Sequence, residues 1–361
     1  MEFVTKLVEI KKKIEQVEPA RYASRRNFID GAVTYLSPYI SRGVISTSQV
    51  LNSVLAAGHK PQRIEKFIQE LAWRDHWQNV WVNNRSRIDT DLKHEQPTAQ
   101  RSGIPTSIVE HQTGIEAIDS GIESFYETGY MHNHLRMYVA SIACNVGKCH
   151  WKTPAQWMYY HLLDADWASN ALSWQWVCGA NSHKLYYANQ ENINKYCHTK
   201  QRGTFLDVAY DEFEEMRVPE ALEAVEPPNL ITVLPETTVP EIDPNLPTLI
   251  YNFYNLDPKW RLDMRANRIL LLEPSVFEKY PVTAKSIEFC LALANDNIPD
   301  IKVWTAEFSE LEQLPQGEIF FKEHPLNTYV GNEDPRTWMT SVRGDFPSFF
   351  AFWNKCKQEL Y

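Results

Sequence analysis

The segment YYHLLDADWASNALSWQW, residues 159–176, sets two aspartates, an asparagine and three tryptophans among residues that otherwise read as helical core. Asp166, Asn170 and Trp174 recur every four residues, so on a helix they share one face, with Asp164 on the preceding turn. Buried carboxylates and amides are costly unless something hydrogen-bonds to them, so this face calls for opposing cations or a polar ligand. Two other segments carry complementary groups: Asn133 and Arg136 in MHNHLRMYVAS, and Glu70 and Arg74, four apart, in ELAWRDHW. Two readings fit: three segments converging on a ligand cavity, or a set of buried ion pairs without a ligand. Trp73, Trp77 and Trp81 form a four-residue stripe, the usual pattern of core packing. Trp174 and Trp176 cannot share a helix face, so one is expected to point inward and the other toward a cavity or the surface. Aromatic rings near a redox ligand, Trp151 among them, can relay electrons. His132, His134 and His161 read as ordinary buried or half-buried histidines.

The elements that must position these groups follow from periodicity. RIEKFIQELAWRDHWQNVWVNN and HNHLRMYVASIACNV repeat apolar residues at three- and four-residue spacing, so residues 1–212 are predicted to be a mainly helical domain. Residues 213–247 carry prolines 219, 227, 228, 235, 240, 244 and 247 among glutamates, the composition of a linker or extended arm. Beyond it, TLIYNFY, RILLLEP, IKVWTA and EIFFKE read as short buried strands alternating with helices, which predicts a small parallel α/β domain over 248–361.

Composition excludes several classes. The chain of 361 residues is 43% apolar, enough for a large core. No apolar run has the length of a membrane span, and Met1 is followed by charged, helix-like sequence, so a soluble, cytoplasmic protein is expected. The six cysteines form no CxxC pair, so neither a zinc ribbon nor a disulfide scaffold is expected, and no metal. There is no glycine-rich phosphate loop and no internal repeat. Residues 1–210 carry 23 Lys and Arg against 20 Asp and Glu, and residues 211–361 carry 13 against 26. All net acidity therefore lies in the second half, which disfavours a polyanion there but not at local patches of the first.

RNFIDGAVTYLSPYISRGVIS, FIQELAWRDHW, HNHLRMYVAS and WMYYHLLDADWASNALSWQW, in that order, resemble the flavin-binding helical domain of the photolyase and cryptochrome family, over about residues 20–210. The resemblance implies FAD held at the centre of the helical domain. Tyr22, Thr34, Leu36 and Ser37 match the residues that hold its phosphates and sugar, although GAVTYLSP is one residue longer than the usual form. Glu70, Arg74, Asn133, Arg136, Asp164 and Asp166 match residues around the cavity and ring system, and Asn170 matches the residue facing the flavin N5. An asparagine there is what the pyrimidine-dimer photolyases carry. Trp73, Met137 and Trp176 match groups that touch a flipped-out dimer, with Glu70 at its bases. Trp151 and Trp174 match two electron-relay tryptophans. The activity implied is that of a deoxyribodipyrimidine photo-lyase: light-driven electron donation from reduced FAD into a cyclobutane pyrimidine dimer in DNA, bond splitting, and return of the electron. HNHLRM lacks the adjacent histidine pair expected for the 6-4 photoproduct.

Three departures bear on this expectation. The family form leads with an N-terminal antenna domain, whereas here helical sequence starts near residue 20 and an α/β region follows it, so a photolyase lacking the usual antenna domain is expected. Residues 90–130 contain no third relay tryptophan, leaving Tyr126, Tyr130 or Trp157 as substitutes. YYANQENINKYCHTKQRGTFLD departs from the family's form after the main motif. The enzyme reading predicts a basic rim of Arg25, Arg26, Lys184, Lys195, Lys200 and Arg202. The alternative is a cryptochrome-like light or redox sensor that binds FAD but not DNA, with the acidic C-terminal half engaging a protein partner.

Overall fold

The computed structural model describes every residue except Met1, His183 and Gln316. In chain order its longer helices are α1 (Leu7–Glu15), α2 (Thr47–Ala56), α3 (Glu65–Asn84), α4 (Glu116–Thr128), α5 (Asn133–Ser141), α6 (Lys152–His161), α7 (Trp167–Val177), α8 (Gln190–Cys197), α9 (Ala284–Asn297) and α10 (Phe349–Leu360). Many of their starts are legible as caps. Ser46 and Gln49 form a capping box on α2, while Asp166, Asn189 and Ser348 accept backbone N–H groups at the starts of α7, α8 and α10. Helix α4 stops where Gly129 turns left-handed at φ 68°, a conformation that costs glycine little.

A parallel sheet contains β1 (Thr248–Tyr251), β2 (Asn267–Leu272), β3 (Ile301–Thr305), β4 (Ile319–Lys322) and β5 (Asn332–Asp334). Their spatial order is β3-β2-β1-β4-β5, with Ile250 opposite both Ile269 and Phe321. The order reverses direction between β1 and β4, as in doubly wound α/β folds. Both faces are covered, so the β2 segment NRILLL reads as a continuous apolar run. On one face Ile250, Ile269, Leu271, Trp304 and Phe321 form a core with Phe308 and Leu311. β5, with sequence NED, is polar and short and gives no alternating pattern, so four strands are legible in the sequence and the fifth is not.

The chain forms two compact units that do not follow one another along the sequence. One unit comprises residues 1–20, 34–85 and 231–361; the other comprises 21–33 and 86–230. The sheet thus belongs with α1, α2, α3, α9 and α10, and the second unit holds α4 to α8. The proline-rich arm is extended and docked rather than loose. Thr232, Pro235 and Thr237 exchange hydrogen bonds with Val282 and Thr305, and Glu241 accepts from Lys302, so the arm shields the β3 edge. In the helical unit α5 runs into a π-helical turn, Ile142–Val146, where the Gly147 N–H reaches the Ile142 carbonyl at 2.7 Å. Asn145 on that turn donates to the Val177 and Tyr186 carbonyls, tying it to the end of α7.

Candidate functional site

In the helical unit the polar face of α7 is held by local bonds. Asp166 is the N-cap: its Oδ1 accepts the Ser169 N–H at 2.8 Å. Asn170, one turn on, is buried and donates from Nδ2 to the Ala155 carbonyl of α6 at 2.7 Å. That bond fixes the amide's orientation and assigns its nitrogen as donor. Asp164, in the loop before α7, is buried and accepts from the Arg136 guanidinium of α5 at 3.0 Å on both oxygens. Arg136 also donates from Nε to the Met131 carbonyl at 2.8 Å, so two fixed acceptors aim its charge. Arg136 and Asp164, both matched by resemblance to residues around the cavity, form a direct ion pair.

Asn133, the first residue of α5, is exposed, and its amide lies 3.9 Å from the Met137 sulfur, so these two positions sit together. His132 is buried, and its pKa is lowered to about 4, first by burial and then by His134 and Arg136. His134 is lowered in the same direction, and its Nδ1 lies 2.7 Å from the Asn27 carbonyl. Both rings are therefore neutral at pH 7, as expected for core histidines. His132 Nε2 and the Ser169 hydroxyl are buried without a hydrogen-bond partner. Orphaned polar atoms beside Arg136 and Asn170 fit a site completed by a polar ligand.

The aromatic residues separate clearly. Trp174 is buried, whereas Trp176 is 39% exposed with its ring 6.1 Å from Tyr186, the inward and outward division expected of two residues two apart. Trp151 is fully buried and donates from Nε1 to Asp91 at 2.6 Å; Asp91 also pairs with His150 at 3.1 Å. Trp167 lies 6.3 Å from Trp151, ring centre to ring centre, and donates to Asp89 at 2.7 Å. Sequence reading gave Trp167 no role, because nothing in DADWASN marks its contact with a residue 78 positions earlier. Of the substitutes named for the relay, Trp157 donates to the Tyr126 hydroxyl at 3.0 Å, and burial pushes the Tyr126 phenol up to about 12. Tyr130 lies under the Arg136 guanidinium. Tyr22 is half-buried on the helix Pro19–Arg25.

The basic residues of this unit are largely balanced. Arg25 pairs with Asp30 at 3.3 Å, Arg202 with Asp207 at 3.7 Å, and the Lys195 ammonium lies over the Tyr196 ring. Arg26 donates to the Ala23 carbonyl. Lys184 is exposed, and Lys200 is exposed as well.

The remaining site residues belong to the unit that contains the sheet. Thr34 Oγ1 accepts the Leu36 N–H at 3.4 Å, Leu36 is buried, and Ser37 opens the short helix Ser37–Ser41. Arg74 on α3 donates to Ser41 Oγ at 2.9 Å, which ties α3 to that helix. Glu70 is half-buried and pairs with Lys66 one turn earlier at 3.1 Å. Trp73 is stacked on Phe349 of α10, with ring centres 3.7 Å apart and planes 8° from parallel. Behind it Asp75 is buried, which pushes its carboxyl up; its oxygens accept the Met339 N–H at 2.7 Å and the Thr47 hydroxyl at 2.9 Å.

Residues 67–217 match the family described as the FAD binding domain of DNA photolyase. A deoxyribodipyrimidine photo-lyase of Alkalihalophilus pseudofirmus is 29% identical over 191 residues, 51% of this chain and 40% of the relative. One from Synechococcus sp. is 32% identical over 168 residues, 44% of this chain and 34% of the relative. The chain thus spans well under half the length of these curated relatives. A cryptochrome crystal structure from Synechocystis sp. superposes with a TM-score of 0.50 at 21% identity, covering 54% of this chain and 44% of that one, a likeness of fold.

Proposed function

We propose that this chain, whose residues 67–217 match the FAD binding domain of DNA photolyase, is a member of the photolyase and cryptochrome family and acts as a photolyase on cyclobutane pyrimidine dimers in DNA. The observation that carries this reading is the polar cluster around α7. Asn170, fixed by Ala155, and half-buried Arg136 paired with buried Asp164 give a neutral amide and an oriented cation in the helical unit. The donor set suits a flavin: an amide for a ring edge, a guanidinium for carbonyl or phosphate oxygens, and carboxylates for hydroxyls and ring N–H groups.

FAD, when bound, would supply the light-driven one-electron chemistry, and the protein's share is binding and orientation. Arg136 would present positive charge whose direction is fixed by Asp164 and the Met131 carbonyl, so little reorganisation accompanies charge movement nearby. Asn170, with one of its two amide hydrogens committed to Ala155, would offer its carbonyl oxygen to a ring N–H. Burial of Trp174 and Trp151 excludes water from the aromatic interior, and Asp91, which accepts the Trp151 indole N–H, fixes the orientation of that ring. Trp176, outward-facing, is the platform in this unit for a flat base. Substitution Asn170→Ala tests the reading: loss of FAD retention with helical content kept supports it, and unchanged FAD binding and dimer repair would remove it.

A second reading, light or redox sensing without repair, is favoured by one observation. Trp73, matched by resemblance to a dimer-facing ring, already has an aromatic partner in Phe349. Blue-light repair of an oligonucleotide carrying one thymine dimer separates the two.

A further inference from the structure

The parallel strands β1, β2 and β4 lie side by side, so their carboxyl ends share one edge of the sheet. The strand order reverses between β1 and β4, and at such a point the loops leaving the two strands diverge and open a crevice. A recess of about 300 Å³, its open mouth included, lies there within the unit that contains the sheet. It is lined by Asn252 and Tyr254 after β1, Glu273 after β2, and His324, Asn327 and Tyr329 after β4. Asn252, Glu273, Asn327 and Tyr329 form one network. The Tyr329 hydroxyl donates to Glu273 Oε2 at 2.8 Å, Glu273 Oε1 accepts the Phe308 N–H at 3.3 Å, and burial raises the Glu273 carboxyl pKa. Asn252 donates from Nδ2 to Asn327 Oδ1 at 3.1 Å, and Asn327 donates to the Lys322 carbonyl at 2.7 Å.

His324 stands outside that network. Its Nδ1 accepts the Leu326 N–H at 3.3 Å, which leaves the ring proton on Nε2. Nε2 is buried and meets no hydrogen-bond partner among the described residues. The ring is held in place, flat on Tyr254 with centres 4.3 Å apart and planes 14° from parallel, and with Trp81 edge-on at 4.9 Å. Burial first, then Arg336, Arg42 and Arg85, keep the imidazole neutral. A buried N–H donor without an acceptor is costly, and a ligand that brings an acceptor removes the cost. The surrounding charge has both signs: Glu273 disfavours an anion and the three arginines disfavour a cation, so an uncharged ligand fits best. The recess has room for one ring. We propose that it binds an uncharged single-ring amide, such as a free pyrimidine base or nicotinamide. The ligand carbonyl accepts the His324 Nε2–H, and its N–H donates to Glu273, whose oxygens each keep a second lone pair. This site shares no residue with the flavin reading and does not rest on it.

The test titrates the FAD-loaded full chain with uracil and with nicotinamide by isothermal titration calorimetry, and follows the His324 Nε2–H by histidine side-chain NMR, a readout that needs no variant. At least one probe is expected to bind and to move the Nε2 resonance; which one does so tells a ring imide from an exocyclic carboxamide. Dimethyluracil, methylated at both ring nitrogens, is expected to bind about three- to tenfold more weakly than uracil. His324→Phe, which keeps the stack on Tyr254 and removes the donor, is expected to lose a similar factor for either probe. Far-UV circular dichroism and the unfolding midpoint establish that the variant folds. No binding of either probe at millimolar concentration overturns the proposal, as does uracil bound no better than dimethyluracil. Unchanged affinity in folded His324→Phe, or binding with a static Nε2 resonance, puts the ligand elsewhere, on Trp176 for example, and overturns it too. None of these outcomes bears on dimer repair.

Discussion

Two tryptophan-bearing helices, one in each unit, carry similar residues in opposite circumstances. At α7, Asp166 and Asn170 bond to neighbours close in sequence, Asp164 bonds to α5, the Ser169 hydroxyl keeps no partner among the described residues, and Trp176 remains accessible. On α3 the Trp73 face is filled by a segment more than 260 residues away. The difference separates what a motif can encode by itself from what depends on the rest of the chain. ELAWRDHW specifies a helix with an acidic, aromatic and basic triplet, and the distant C-terminus decides that the aromatic member, Trp73, is covered by Phe349.

The comparison can be broken first at α10. Phe352→Ala removes a fully buried ring and is expected to cost about 3–5 kcal/mol by chemical denaturation; a loss below about 1 kcal/mol would mean that the helix is not held as described. In the helical unit, Asp164→Ala leaves the Arg136 charge without its carboxylate and is expected to cost about 3 kcal/mol together with FAD retention. An acid titration sharpens the contrast. The folded pKa of His132 is depressed from 6.5 to about 4, so between these values the unfolded chain binds a proton that the folded chain does not. Stability is thus complete above about pH 6.5 and falls as pH drops toward 4, by about 3 kcal/mol. Unfolding midpoints across that window should flatten in His132→Gln; equal slopes would contradict the assignment. Asp166→Ala, which deletes the cap of α7, is expected to cost about 1 kcal/mol. The smallest stability change belongs to Glu70→Gln, about 0.3–0.5 kcal/mol from the Lys66 pair. A much larger loss of dimer repair in that variant would separate a substrate role from a structural one.

Much of this was legible in the sequence where the relevant physics is local. Helical periodicity and four of the five parallel strands follow from spacing, whereas Asp166, expected on the helix face with Asn170, is the extended N-cap just outside it. Asp166 as a helix cap was open to the same reading, since an Asp before a helical run satisfies free N–H groups. The fifth strand, NED, is too short and polar to carry a pattern. Trp167 bonding to Asp89, Phe349 covering Trp73, and the assignment of residues 34–85 to the unit with the sheet depend on contacts between distant segments, which no local window contains.

The central claim is dimer repair at a flavin site. The chain is loaded with FAD, reduced, mixed with an oligonucleotide carrying one cyclobutane thymine dimer, and followed under blue light against a dark control. The account expects thymine absorbance to return only in the light and to fail to return in Asn170→Ala. A fully FAD-loaded, reduced protein that leaves the dimer intact under blue light would contradict it.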